Sequence, residues 1–154
     1  MTDLKSLVEQ YRAGLDAELS ILERLAEVSA RQRAASDTQD LEALARLSDD
    51  RDRLTAALVA VEDPLSQVRD ALSARRDEAR AIPGYDDAVE VHRRATALAI
   101  SILETDRASL DALTAAEAAR RDSLRALEHG ETTLAAYRRV MVAPPASGLV
   151  DRRG

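Results

Sequence analysis

The chain has no cysteine, no phenylalanine and no tryptophan, and its aromatic complement is Tyr11, Tyr85 and Tyr137. Without cysteine there can be no disulfide framework, no thiolate metal site and no cysteine nucleophile. Large aromatic side chains normally anchor a compact core, each burying roughly 150–250 Å². In their absence buried area must accumulate from many small contacts along extended seams. Long apolar runs are missing as well: no segment approaches the roughly 20 apolar residues that cross a bilayer. Residues 1–6 carry no basic region followed by an apolar stretch, and the chain reads as cytoplasmic. Glycine is scarce, five residues with none clustered, so phosphate-cradling loops are missing too. A clustered basic face is also lacking. Arginine pairs at 93–94, 120–121, 138–139 and 152–153 are interspersed with acids in a chain of net charge −6, which argues against nucleic acid as a partner.

What is present is a helix-forming mixture. Of 154 residues, 45% are apolar, almost all Ala, Leu and Val, and 32% are charged. These residues suit close helix packing far better than sheet. The expected fold is all-α: an elongated antiparallel bundle of three long helices plus a short C-terminal helix, with coiled-coil-like packing.

Apolar positions from Leu4 through Leu7, Val8, Tyr11, Leu15, Leu19, Leu22, Leu25, Ala26 and Val28 recur at three- and four-residue steps, predicting one amphipathic helix to about residue 35. The run Ser36-Asp37-Thr38-Gln39-Asp40 interrupts it. Asp37 or Ser36 is the expected cap of a second helix beginning near residue 38, with Asp40 and Glu42 in its acidic first turn. That helix has the strictest seam of the chain, Leu44, Leu47, Arg51, Leu54, Leu58, Val61, Leu65, Val68 and Leu72, spaced as in a coiled coil. Because the spacing passes Pro64 without slipping, a continuous kinked helix is favoured over a break capped by Asp63. Ile82-Pro83-Gly84-Tyr85 is the clearest turn and makes its flanking helices antiparallel neighbours. The third helix is expected over residues 86–128, with Val89, His92, Thr96, Ala99, Leu103, Leu110, Leu113, Leu124 and Leu127 on or near its inner stripe. Helices two and three would each be roughly 65 Å long. Gly130 is placed to end the third helix, leaving a short fourth one over 131–142. Residues 1–142 thus form the helical domain, and 143–154 read as a disordered tail.

Neither histidine stands in the glutamate-x-x-histidine spacing of a bundle metal site: His92 follows Glu90 by two and His129 directly follows Glu128. No serine sits in the Gly-x-Ser-x-Gly turn that exposes a nucleophile. No catalytic residue, metal site or cofactor is assigned, and the chain reads as a non-enzyme. Arg51 and Asp106, polar at seam positions, are read as fixing the register of the bundle in preference to forming a recognition pair. The C-terminal group differs. Leu134, Tyr137, Val140 and Met141 give an apolar face to a segment with weak reason to fold alone, and Met and Tyr serve well at interfaces; capping of the bundle is the competing reading.

The pattern of Leu15, Leu19 and Leu22, then Asp40-Leu-Glu-Ala-Leu44, Asp50-Arg-Asp-Arg-Leu54, Leu103-Glu-Thr-Asp106-Arg and Gly130-Glu-Thr-Thr-Leu-Ala-Ala-Tyr137 resembles the FlgN/FliT-like flagellar export chaperones. These are small acidic helical proteins that escort hook-associated or filament-cap subunits to the flagellar type III export gate. The resemblance covers nearly the whole chain through short motifs, and the layout leans toward the FlgN side. It implies that Leu134, Tyr137, Val140 and Met141 form a surface for the C-terminal helix of a cargo subunit and for the export gate, and the apolar face expected to bind the cargo extends back to Leu124 and Leu127. The alternative is a structural or regulatory coiled-coil module, homodimeric through the second-helix seam.

Overall fold

A computed structural model describes residues 3–142; the expected tail at 143–154 lies outside the described residues. The described chain is all-α, without strand, in four helices: α1 Leu4–Thr38, α2 Leu41–Ala74, α3 Arg76–Arg80 and α4 Tyr85–Val142. Two units divide it, residues 1–113 and 114–154.

In the first unit α1, α2 and the beginning of α4 pack side by side. Leu4, Val8 and Leu15 of α1 share a core with Leu65 and Leu72 of α2, while Val28 and Ala35 meet Leu47. The early part of α1 therefore lies against the late part of α2, and the two helices are antiparallel. Ala88 and Val91 of α4 join the first cluster, and Ala95 and Ile102 join Leu22 and Leu25, so α4 runs parallel to α1. Gly14 lets α1 approach α2 closely. A Cβ there would stand 2.7 Å from Leu65 Cδ1, and Leu65 is buried.

The α1–α2 turn falls later than the sequence predicts. Asp40, and neither Asp37 nor Ser36, caps α2, accepting a bond from the Ala43 amide at 3.0 Å. Gln39 makes the reversal in the left-handed region at φ 55°. The polar run stays helical because its side chains bond along their own helix: Ser36 Oγ donates to the Gln32 carbonyl at 2.7 Å, Thr38 Oγ1 donates to the Ala34 carbonyl, and Arg33 pairs with Asp37. Cap-type side chains can serve either purpose. Pro64 sits inside the continuous α2. Every α2 seam residue from Leu44 to Leu72 is buried or half-buried, so packing on both sides of the proline holds the helix through its missing N–H.

Three further expectations are corrected. A short helix, α3, separates α2 from the Pro83-Gly84 turn, where Gly84 takes φ 91°. Its buried Ala79 closes the end of the core. The separate short C-terminal helix does not exist, because α4 continues through Gly130 to Val142. Lastly, the inner stripe of α4 is displaced by one residue. Ala88, Val91, Ala95, Ile102 and Ser109 are buried, whereas Val89, Leu103 and Leu110 are exposed. One residue is about 100° of helix rotation, enough to turn a core stripe outward. Leu58, expected in the core with Leu110, is half-buried.

Arg51 and Asp106 meet where α1, α2 and α4 converge. Arg51 Nη1 donates to Asp106 Oδ1 at 2.8 Å, to Gln32 Oε1 at 2.9 Å and to Ser29 Oγ at 3.2 Å, and Nη2 donates to Asp106 Oδ2. Ser29 Oγ in turn donates to Asp106 Oδ1 at 3.0 Å. A half-buried ion pair contributes little net stability, but one bonded to every neighbouring helix penalises any slip of register.

A second polar cluster works against stability. Burial, with the Glu62 carboxylate close by, raises the Glu18 pKa above its ordinary value of 4.5, and Arg69 opposes the rise only in part. The folded chain thus holds this proton more tightly than the unfolded one. The associated stability is fully present below the unfolded value and is lost as pH rises through the elevated folded value. Glu18→Gln, uncharged throughout, is expected to raise the melting temperature at pH 7, with the gain vanishing below pH 4.5. Thermal denaturation across that range checks it; a variant less stable at pH 7 would contradict it.

Candidate partner-binding face

In the second unit the described residues are the last part of α4, residues 114–142. None of residues 114–141 is buried. Helix formation here rests on local interactions. Arg120 and Arg121 both pair with Glu117, at 2.8 and 3.2 Å, and such i,i+3 and i,i+4 pairs each contribute only a few tenths of a kcal/mol. Thr132 and Thr133 hydroxyls donate to the carbonyls of Glu128 and His129 at 2.9 Å, which keeps the residues around Gly130 within the helix. Gly130 has no positive φ. A lone glycine without the left-handed turn is a weak stop signal, costing about 1 kcal/mol relative to alanine.

Nothing lies within 4 Å of a Cβ added at Gly130, so Gly130→Ala tests this account directly. It is expected to slow amide hydrogen exchange over the neighbouring turns by roughly fivefold, as a gain of up to about 1 kcal/mol in helix propensity implies. Faster exchange would mean that the glycine conformation is needed there.

All six residues picked out from the sequence are exposed, from 45% at Leu124 to 80% at Met141. At about 100° per residue, Leu127, Leu134 and Met141, seven apart, fall within about 40° of one another, with Leu124 to one side and Tyr137 to the other. Those five share one stripe. Val140 stands about 60° beyond Tyr137 and belongs to the adjoining face. Large apolar side chains gathered on a single solvent-facing stripe are the pattern that partner helices cover, whereas scattered ones need no explanation.

Sequence reasoning missed a second exposed apolar strip, Ile100, Leu103 and Leu110 in the first unit. The sequence spacing places Leu103 and Leu110 in the core instead. The available signal was alanine: Ala88, Ala95 and Ala99 allow two inner stripes one residue apart, and alanine's small volume leaves the choice to helix–helix distance.

Among the described residues, no three His, Asp or Glu side chains are grouped to hold a metal ion, and no helix is long and apolar enough to cross a membrane. Compared with family models, with curated proteins and with solved structures, the chain has no match.

Proposed function

We propose that the chain is a non-enzymatic export chaperone of the FlgN type, cytoplasmic in location, which binds the C-terminal helical segment of a flagellar hook-associated or filament-cap subunit and presents it to the export gate. The observation that carries this reading is the solvent-facing stripe of Leu124, Leu127, Leu134, Tyr137 and Met141 on a helix segment, residues 114–141, in which no residue is buried. An amphipathic cargo helix laid along that stripe would cover both apolar faces at once, in the helix-in-groove manner or as a coiled coil. Val140, on the adjoining face, remains for contact with the gate. Escort chemistry follows from the same burial: a cargo segment that assembles through its apolar face cannot do so while that face is covered.

The experiment is a polymerisation assay. A hook-associated subunit that self-assembles alone should stay monomeric, by light scattering, when an equimolar amount of the chain is present. Leu134→Asp, which puts a charge in the stripe without touching a buried position, should abolish the protection. Assembly at an unchanged rate with the unaltered chain would reject the proposal and favour the coiled-coil module.

A further inference from the structure

A small cavity of about 230 Å³ opens in the first unit where all four helices meet, and its chemistry has no part in the partner-binding face. Its polar lining consists of Tyr11 from α1, Arg69 and Ser73 from α2, Arg76 from α3, and Tyr85 and His92 from α4. Every one of these groups can donate a hydrogen bond, two carry a fixed positive charge, and no carboxylate lines the space. Two of the donors are unusual. Among the described residues Arg69 Nε and His92 Nδ1 find no hydrogen-bond partner, and both are shielded from solvent; a buried nitrogen left without a partner costs free energy that a ligand can recover. Arg69 is held in place from behind by Glu62, which accepts from Nη1 at 3.1 Å. Among the described residues Arg76 makes no ion pair, and its side chain is exposed at the rim.

We infer that this cavity is a binding site for the phosphate group of a small phosphorylated molecule. A phosphate offers acceptor oxygens in several directions, which suits donors arriving from four helices, and arginine is the side chain best matched to it. Leu72 and Val89 complete the lining and provide an apolar wall for the organic part of the ligand. The site is independent of the export reading, since its α4 residues, Tyr85, Val89 and His92, all lie in the first unit, before the stripe that begins at Leu124.

The chain has two histidines, and His129 lies in the second unit, so their ring resonances give a reporter and its internal reference in one spectrum. The full chain is titrated with inorganic phosphate and with phenyl phosphate at constant pH and ionic strength, with phenol as control. Saturable movement of the His92 signals is expected, half complete by about 10 mM phosphate, with His129 unmoved, phenyl phosphate binding at least as tightly as phosphate, and phenol inert. Arg76→Gln, at an exposed position, should weaken binding roughly tenfold through loss of charge-assisted bonds. Arg80→Gln, one turn away and outside the lining, should leave it unchanged. No saturable His92 response, an equal response at His129, or equal weakening by Arg80→Gln would each overturn the assignment.

Discussion

Leu15→Ala is expected to lower the unfolding free energy by about 2–5 kcal/mol, the range for removing a fully buried leucine side chain from a core that only partly collapses into the space. Leu15 has 0% relative exposure and lies in the cluster that joins α1, α2 and α4. The helices around it are pinned by Gly14 against Leu65, which limits how far they can close on the cavity. Leu110→Ala should cost less than about 0.5 kcal/mol, as ordinary surface substitutions do, because Leu110 is 64% exposed. Urea denaturation of both variants checks the pair of values. A large loss from Leu110→Ala would restore the inner stripe read from sequence and contradict the α4 register described above.

Tyr137→Ala is the second substitution with a large expected effect, and that effect is expected on binding alone. A large aromatic anchor in a helix–helix contact typically costs about 2 kcal/mol or more when truncated, roughly a thirtyfold loss of affinity. Tyr137 stands between Leu134 and Met141 along α4 and is itself exposed. Its removal leaves the buried clusters of the first unit intact, so the melting temperature should stay within about one degree of the parent value, as expected for a surface change. Calorimetric binding to a cargo peptide and thermal denaturation of the same preparation separate the two effects. A fall in stability equal to the fall in affinity would assign Tyr137 a structural role.

Legibility in the sequence followed the size of the side chains. On α1 and α2 the inward positions are leucine, valine and tyrosine with charged residues between them, and the spacing alone places Leu4, Val8, Tyr11, Leu15, Leu47, Leu65 and Leu72 inside. On α4 alanine occupies both candidate stripes, and the larger Val89, Leu103 and Leu110 drew the reading one residue away from Ala88, Ala95 and Ile102. Gly84 was legible because it follows a proline and its turn needs positive φ. Gly130 misled because a glycine after a histidine looks like a helix end, while the deciding feature, threonine hydroxyls bonded back into the helix, depends on conformation. Asp40 was seen as a favourable acid near the helix start; its role as the cap depends on a left-handed Gln39, which no propensity scale favours. The cavity bounded by Arg69, Arg76 and His92 was invisible for a simpler reason: its lining comes from four helices, and only their packing assembles it.

On the proposed function, the stripe of α4 from Leu124 to Met141 covers an amphipathic helix of an export substrate. Isothermal calorimetry of the full chain against the C-terminal helical peptide of a hook-associated subunit, repeated with Leu127→Asp and Leu134→Asp together, addresses it in one series. The account predicts saturable binding tighter than about 100 μM, corresponding to at least about 5.5 kcal/mol, a negative heat-capacity change from apolar burial, and loss of the signal in the double variant at unchanged melting temperature. Absence of heat at that concentration with the chain folded, or equal binding by the double variant, would contradict it.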